Sequence, residues 1–289
     1  MAGRLTNDEL LATAHGFERE PYLEAMSIEL VATRDLYLAA PTDVASRLGV
    51  EVHSVGQSTL FVASKLAQLF FNRVELTATG AELSQDEVTQ SLQLFADRGV
   101  DKFVLQVDAP ACGEHTQQLM AARGLVPFRR PWVKLVRGTT PLPDVSSEFE
   151  ITEATASDAD VIASMMVQGF ALPEPATDLY RSIVGRPGWR AYLALCQAQP
   201  AAAGLAFIDG SRCYLAGGVT LPAYRGRKAQ RALMQRRIVD ATTAGASTVT
   251  TETGLPLPGE ENPSYRNMIH LGFRAVGTRD NYAPSGTRW

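Results

Sequence analysis

A short basic segment in the second half of the chain has the residue types that bind an anion. Between a predicted strand that ends near Pro222 and a helix that begins near Gln230, four of the seven residues Arg225–Arg231 are Arg or Lys. Gly226 lets the loop turn directly into the helix, so free backbone N–H groups and the positive end of the helix dipole meet there. This arrangement predicts a site for a phosphate or pyrophosphate group. The alternative is a solvated helix start with ordinary surface charges.

The other reactive residue types form no cluster along the sequence. Four histidines and three cysteines are far apart: His15, His53, His115, His270, Cys112, Cys196 and Cys213. Without ligand spacing or a CxxC pair they predict neither a metal site nor a disulfide, and we interpret the cysteines as reduced thiols of a cytoplasmic protein. Ser264 has no nearby base that would mark it as a nucleophile, so covalent catalysis is not expected.

The elements that position the basic loop alternate regularly. Strands are predicted at Glu150 to Thr152, Trp189 to Leu195, Ala202 to Phe207, Cys213 to Thr220, Thr248 to Thr253 and Ala275 to Tyr282. Helices are predicted at Ser157 to Val167, Ala176 to Ile183, Gln230 to Ala244 and Pro263 to Leu271. The loop therefore connects the fourth of these strands to the third helix.

The first half of the chain follows a similar order after a helical segment over residues 7–46. Strands are predicted at His53 to Ala63, Phe70 to Leu76, Lys102 to Val107 and Pro127 to Val136, with helices at Ser84 to Asp97 and Glu114 to Ala122. Sliding the sequence so that Gly99 falls on Gly245 places a helix before the glycine and a strand after it in both halves. This order favours an internal duplication, with convergent alternation of strands and helices as the alternative.

A segment rich in Pro, Thr and Ser separates the halves. We predict a linker at residues 139–147, a first domain at 1–138 that includes the helical segment, and a second domain at 148–289. The length of 289 residues also favours two domains.

Composition excludes several function classes. The chain is 45% hydrophobic and 20% charged, as expected for a globular protein, and its formal net charge of -4 argues against nucleic acid as a partner. The amino-terminal segment lacks an apolar signal region, and no stretch reaches the roughly 18 apolar residues of a membrane span. We therefore expect a cytoplasmic protein without membrane contact.

Two segments of the second half resemble motifs of the GNAT superfamily of N-acetyltransferases. Arg225 matches the first position of the family's Arg/Gln-x-x-Gly-x-Gly/Ala loop, whereas Lys228 and Gln230 stand at its last two conserved positions. In the second motif, Asn262 starts a helix that ends in Gly272-Phe273. The resemblance implies an α/β (α+β) fold with a mixed, mostly antiparallel sheet flanked by helices, and two such units in tandem.

The same resemblance implies an enzyme that transfers an acetyl group from acetyl-CoA to a primary amine by direct attack. The pantetheine arm would lie along the strand before the loop, and the pyrophosphate would lie on the loop and the helix start. The implied CoA contacts are Gly218, Val219, Thr220, Arg225, Gly226, Arg227, Lys228, Ala229, Gln230, Arg231 and Asn262. No metal is implied.

Catalytic and acceptor residues are also inferred from the resemblance. Glu252 is the candidate base, because relatives carry a glutamate in this strand; a structural role is the alternative. Met268 stands where many relatives have a tyrosine acid, and Tyr265 is the candidate in its place, with a core position as the alternative. Glu174 and Asp178, after the first helix of the second domain, are candidate acceptor contacts.

The first half lacks the residues of this site. In the repeat alignment Thr79, Glu82 and Gln106 stand opposite Arg225, Lys228 and Glu252, so we expect a degenerate GNAT-like domain. Two other functions stay open: a non-catalytic CoA-binding protein, and a protein-interaction scaffold. The acceptor could be a small-molecule or a peptide amine, and homodimer formation is not decided by the sequence.

Overall fold

The computed structural model describes residues 12–14, 16–76, 83–108, 111 and 113–287. Its helices are α1 Arg19–Leu38, α2 Thr42–Leu48, α3 Gln85–Asp97, α4 Glu114–Ala121, α5 Ala159–Gly169, α6 Thr177–Arg181, α7 Ala229–Thr243 and α8 Pro263–His270. Its strands are β1 Val50–Val55, β2 Ser58–Ala63, β3 Arg73–Leu76, β4 Val104–Asp108, β5 Leu125–Pro127, β6 Trp132–Arg137, β7 Glu150–Glu153, β8 Trp189–Cys196, β9 Gln199–Asp209, β10 Arg212–Tyr214, β11 Gly218–Thr220, β12 Thr248–Gly254 and β13 Arg274–Pro284.

The chain divides into two compact units that do not follow the predicted boundary. The larger unit comprises Met1–Ala39 and Val133–Gly277, and the smaller unit comprises Ala40–Trp132 and Thr278–Trp289. The predicted linker at 139–147 lies inside the larger unit, and so does α1, which the sequence assigned to the first domain. Strand β13 contributes its first residues to the larger unit and the rest to the smaller one.

The larger unit is a sheet with helices on both faces. Its strand order is β13, β6, β12, β10, β9, β8 and β7, and β11 also pairs with β9. Helices α7 and α8 bury Leu233, Ile238 and Met268 against one face. Helices α1 and α5 bury Ile28 and Ile162 against the other. The predicted mixed, mostly antiparallel sheet flanked by helices is confirmed.

In the smaller unit, helices pack on one face of a further set of strands. Strands β1, β2 and β3 are antiparallel neighbours, β3 is parallel to β4, and β4 is antiparallel to the last part of β13. Side chains of α3 and α4, including Val88, Phe95 and Leu119, pack on Leu60 and Val74 of the sheet. Helix α3 connects β3 to β4, as α7 connects β11 to β12, so the order of elements supports the predicted duplication.

The sequence predicted one strand from Cys213 to Thr220, and the structure has two. Leu205 N–H donates to both Ala216 O and Gly217 O at 3.1 Å, so two residues of one strand face one residue of β9. Gly217 has φ +47°, a conformation that glycine adopts without steric cost. This β-bulge ends β10 and redirects the chain into β11.

Candidate active site

The bulge opens a gap in the sheet of the larger unit. Strand β10 runs parallel to β12, and the last bond of this pair is from Leu215 N–H to Thr250 O, 2.8 Å. Within the described part of the chain, β11 pairs only with β9, while β12 continues to Gly254. Strands β11 and β12 are therefore splayed beyond Leu215 and Thr250.

The edge of β11 that faces this gap offers peptide groups to a ligand. Leu205 N–H donates to Gly217 O and Leu221 N–H donates to Ala201 O, so the odd-numbered residues of this segment bond to β9. In an antiparallel pair the intervening residues point their N–H and C=O groups the other way. Those residues are Gly218 and Thr220, which are half-buried.

A buried arginine beneath the bulge fixes its shape. The Arg237 guanidinium of α7 donates to Leu205 O at 2.9 Å and to Gly217 O at 3.1 Å. A Cβ at Gly204 would lie 2.8 Å from Arg237 Cζ, so the guanidinium fits only because this residue has no side chain. Burial lowers the pKa of Arg237 to about 10. These contacts couple the start of the gap to the helix that follows the basic loop.

The basic loop turns sharply into α7. Pro222–Tyr224 form one turn of 3-10 helix, Gly226 has φ +78°, and Lys228 precedes α7 with φ +70°. Lys228 occupies a position where the family's loop has glycine, and its backbone has the left-handed conformation that a glycine would adopt without strain. No atom lies within 4 Å of a Cβ built at Gly226, so the backbone there is open to a ligand.

The two loop arginines have different surroundings. Arg227 donates to both carboxylate oxygens of Glu148, at 2.9 and 2.6 Å, and its guanidinium lies 5.4 Å from the ring centres of Phe149 and Tyr224. The hydrogen bond with Glu148 raises the pKa of Arg227. Arg225 is exposed and donates only to a backbone oxygen, Thr220 O at 3.3 Å, among its hydrogen bonds to described residues.

The first turn of α7 is bonded to α8. Gln230 donates to Ser264 Oγ at 3.0 Å and accepts from Asn267 Nδ2 at 2.7 Å, and Arg231 donates to Asn267 Oδ1 at 3.0 Å. Ala229 is buried in the core of this face. The side chains at this helix start therefore join the two helices, while its backbone N–H groups face the loop.

Asn262 holds the end of β12 next to α8. Its side chain accepts from Tyr265 N–H at 2.9 Å, which caps α8, and donates to Gly254 O at 2.6 Å. Both functional groups of the amide therefore bond to the protein, and a CoA contact by this side chain stays a prediction.

Glu252 is the least buried member of a chain of charges that runs through the core. Its Oε2 contacts Lys134 Nζ of β6, and the same Nζ lies 2.5 Å from Glu29 Oε2 of α1. Side-chain exposure is 11% at Glu252, 1% at Lys134 and 3% at Glu29. Tyr214 of β10 donates to Glu252 Oε1 at 3.2 Å. Glu252 lies two residues past Thr250, where the splay begins, so this predicted base is at the gap.

The other predicted site residues lie elsewhere in the larger unit. Tyr265 is fully buried in the core, its hydroxyl lies 2.9 Å from Thr13 Oγ1, and burial raises its pKa. Glu174 is exposed, and Asp178 forms an ion pair with Arg181 on the same helix. Their roles in catalysis or acceptor binding stay predictions.

Sequence reasoning missed Glu29, Lys134, Tyr214 and Arg237. Lys134 and Glu29 are single charges within apolar runs, Trp132–Val136 and Ser27–Val31, and Arg237 lies one turn after Leu233 on the buried face of α7. A lone charge in a buried pattern is the signal that could have identified them, because such groups are rarely buried without partners.

The smaller unit has no such gap in its described residues. Strands β3 and β4 pair in parallel along their length, from Arg73 with Val104 to Leu76 with Val107. In the repeat alignment these strands correspond to β11 and β12. Thr79 and Glu82, the predicted counterparts of the basic loop, lie outside the described residues.

Comparison with solved structures identifies the fold. A GCN5-related N-acetyltransferase from Kribbella flavida matches with TM-score 0.61 and 16% identity, over 87% of this chain and 96% of that one. One from Sphaerobacter thermophilus matches with TM-score 0.58 and 14% identity, over 80% and 81%. The chain has the GNAT fold. The resemblance inferred from the two sequence motifs is confirmed at the level of the fold.

A tandem GNAT protein from the clavulanic acid biosynthesis pathway also matches, with TM-score 0.57 and 15% identity, over 86% of this chain and 90% of that one. No protein-family model and no curated protein matches the sequence. Across the described ranges, no helix of this GNAT-fold chain has the length and apolar character to cross a bilayer, and no three or more His, Cys, Asp or Glu side chains are grouped to hold a metal ion.

Proposed function

We propose that this chain is an acetyl-CoA-dependent N-acetyltransferase whose site lies in the larger unit. The observation that supports this most directly is the splay between β11 and β12, which turns the N–H and C=O of Gly218 and the N–H of Thr220 away from β9 and toward the gap, on the side of the strand that carries Glu252. A strand edge can pair with an amide-rich ligand such as the pantetheine arm, and the nearby base can serve an amine.

The residues of the basic loop suit the pyrophosphate of CoA. The backbone amides from Gly226 to Arg231 lie at the positive end of α7, and Arg225 and Lys228 add charge at the exposed side of the loop. Arg227 is engaged by Glu148, so we assign it a smaller part in binding. Asn262 would support CoA binding indirectly, because its side chain holds the end of β12 next to α8.

The reaction needs the amine to be positioned next to the thioester, and it needs protons to be removed from the amine. The acceptor ammonium gives one proton to Glu252, directly or through a water molecule, and the neutral nitrogen then bonds to the thioester carbonyl carbon. The carbon–sulfur bond breaks, and the second proton of the nitrogen goes to the departing sulfur. The products are the acetamide and CoA thiol. We assign this second transfer to Tyr214, whose hydroxyl is beside Glu252, with Tyr265 as the earlier candidate.

Titration of acetyl-CoA, followed by calorimetry, tests the cofactor. We expect saturable binding to the wild type that weakens at least about tenfold in Arg225→Ala, because a charge-assisted phosphate contact is lost. Lys102→Ala, which removes an exposed lysine of the smaller unit, is the matched control and should bind as the wild type does. Absence of binding to the wild type would overturn the proposal.

The main alternative is a CoA-binding protein without activity, and the departures from the family loop at Lys228 and Gln230 motivate it. Binding of acetyl-CoA without release of free thiol across a panel of amines would identify this alternative. A protein-interaction scaffold would bind no CoA.

A further inference from the structure

Arg237 is a buried cation whose hydrogen bonds to described residues all go to backbone carbonyls. Its side chain belongs to a residue that is 3% exposed, and its Nη1 donates to Leu205 O at 2.9 Å, to Gly217 O at 3.1 Å and to Ala216 O at 3.5 Å. Burial lowers its pKa to about 10, so the guanidinium is still charged at neutral pH. The positive charge is therefore directed at the carbonyl groups of the bulge and of β9.

One of these carbonyls shares a peptide group with a donor that faces the gap. Gly217 O accepts from Leu205 N–H and from Arg237, whereas Gly218 N–H, in the same peptide group, points from β11 toward the gap. Resonance joins the two ends of a peptide group, so a positive charge at the oxygen draws electrons from the nitrogen and makes the N–H a stronger donor. The cation therefore strengthens a donor at the gap, although its own guanidinium is buried.

Two glycines leave room for the guanidinium between the helix and the sheet. A Cβ at Gly204 of β9 would lie 2.8 Å from Arg237 Cζ, and a Cβ at Gly218 of β11 would lie 3.4 Å from Arg237 Nη2. The absence of both side chains brings the charge close to the peptide groups of the two strands. The donor at the gap and the cation behind it are thus close neighbours.

The smaller unit has neither this cation nor, in its described residues, the gap. In the repeat alignment Ser91 of α3 stands opposite Arg237, and Asn72 stands opposite Gly218. Ser91 Oγ donates to Glu87 O within its own helix, and β3 and β4 stay paired. The arginine is therefore found in the unit whose strands are splayed, and is replaced in the unit whose strands are not.

We propose that Arg237 is a positioning residue for acyl transfer: it polarises the Gly217–Gly218 peptide, so that Gly218 N–H stabilises the thioester oxygen as negative charge develops there. This inference rests on the function proposed above, which places acetyl-CoA at the gap. Donors that are fixed in place before the reaction stabilise such charge without having to reorganise. The hydrogen bonds of Arg237 to the bulge hold the donor, and its charge strengthens the donor.

The step to which this donor contributes is the addition of the amine to the thioester. The amine nitrogen bonds to the carbonyl carbon, and the π electrons of the carbonyl move to the oxygen, which becomes negative. When this electron pair returns, the carbon–sulfur bond breaks, its electrons leave with the CoA sulfur, and the sulfur takes the proton that the nitrogen loses. A positive charge behind the Gly218 donor lowers the energy of the oxygen anion and of the transition states on either side of it.

Isotope-edited infrared spectroscopy of bound acetyl-CoA, labelled at its carbonyl carbon, tests this polarisation without an acceptor amine. The carbonyl stretching frequency falls as the carbonyl bond is polarised. We expect a lower frequency for acetyl-CoA on the wild-type protein than for acetyl-CoA in water. A frequency on the wild type that equals the value in water would overturn the inference, whatever the variants do.

Two variants separate the charge of Arg237 from its hydrogen bonds. Arg237→Gln keeps a neutral donor, and its frequency should return at least about half of the way to the value in water; Arg237→Lys keeps the charge and should lie between Arg237→Gln and the wild type. Arg236→Gln is the matched control, because Arg236 is the neighbouring arginine of α7 but bonds to Asp240 and Ile151 O, and it should leave the frequency unchanged. An unchanged frequency in Arg237→Gln would overturn the inference.

Calorimetry with acetyl-CoA distinguishes polarisation from a change of shape. Arg237→Gln should bind acetyl-CoA within about fivefold of the wild type, because the strand edge is retained. Weaker binding than this, together with a changed frequency, would mean that Arg237 only shapes the bulge. Absence of binding to the wild type would instead overturn the proposed function. If Arg237→Gln does not fold, Gly204→Ala takes its place, since it displaces the guanidinium and leaves the residues of the bulge intact.

Discussion

Arg237 and Gly204 occupy the same small space beneath the bulge: a methyl group on Gly204 would lie 2.8 Å from the guanidinium carbon of Arg237. Gly204→Ala should therefore displace a side chain that donates hydrogen bonds to four backbone carbonyls. We expect a loss of about 1–3 kcal/mol in the free energy of unfolding, measured by chemical denaturation. Gly138→Ala, whose nearest contact is 3.9 Å away at Ser247 O, is the control and should cost less than about 0.5 kcal/mol. An equal loss of unfolding free energy in Gly204→Ala and Gly138→Ala would show that Arg237 can move aside without cost.

Lys228 has a backbone conformation that its side chain disfavours, with φ +70°. Lys228→Gly should raise the free energy of unfolding by up to about 1 kcal/mol, because the steric cost is removed and part of the gain is offset by greater freedom of the unfolded chain. Lys228→Val should lower it by about 1–2 kcal/mol, since a β-branched residue tolerates this region poorly. Chemical denaturation of the two variants measures both effects, and the reverse order would contradict the assigned conformation.

Arg225 and Arg227 should contribute unequally to CoA binding. Arg227 already forms a two-fold hydrogen bond with Glu148, whereas Arg225 is exposed beside the loop. By calorimetry, Arg225→Ala should weaken acetyl-CoA binding about tenfold or more, and Arg227→Ala less than about threefold. A larger effect of Arg227→Ala would mean that it leaves Glu148 when CoA binds.

The two candidate tyrosines should respond differently to loss of the hydroxyl. Tyr214→Phe removes a group beside Glu252 and should lower kcat about 10- to 100-fold. Tyr265→Phe removes a buried hydroxyl that contacts Thr13, so we expect a destabilisation of about 1 kcal/mol and a kcat within about threefold of the wild type. Thiol-release kinetics and thermal unfolding measure the two effects, and the opposite pattern would return the acid role to Tyr265.

Asp35 makes part of the stability depend on pH. Hydrogen bonds from Arg186 lower its pKa below the ordinary value of 3.8, burial opposes them, and the indole N–H of Trp189 adds to the lowering. A lowered pKa in the folded state contributes stability that is present above pH 4 and is lost as the pH falls through the folded-state pKa. At pH 7, Asp35→Asn should cost about 1–2 kcal/mol.

The stability difference between wild type and Asp35→Asn should shrink on acidification below pH 4, as followed by denaturation at several pH values. Asp160→Asn is the control. Asp160 also pairs with an arginine, but its side chain is 79% exposed, and solvent weakens such pairs. A difference that does not change between pH 7 and pH 3 would contradict the assigned role of Asp35.

Local signals made the loop and the fold predictable from sequence. The charges from Arg225 to Arg231, Gly226 and the helix start are neighbours in the chain, and the alternation of elements recurs in both halves. The structure confirms the fold. The break after Tyr214 was not predictable in the same way, because it depends on one N–H of Leu205 that bonds two carbonyls of another strand.

The charge cluster at Glu252 could not be read from spacing. Lys134 is separated by 105 residues from Glu29 and by 118 from Glu252, and no periodic pattern connects such positions. Long sequence separation also explains why the sequence did not indicate the partners of α1. Its apolar residues show that it packs somewhere, but only the tertiary contacts show that it packs on β10 and β12.

The two compact units also constrain when the chain can fold during its synthesis. Helix α1 leaves the ribosome early, yet β10 and β12, on which it packs, are made only after the whole internal part of the smaller unit. Each unit needs its own part of β13, so neither core closes before that strand emerges. Contacts of such long sequence separation slow folding and leave apolar surface uncovered meanwhile. A ribosome that pauses before Arg274 would therefore hold a chain with two incomplete cores, each still lacking its part of β13.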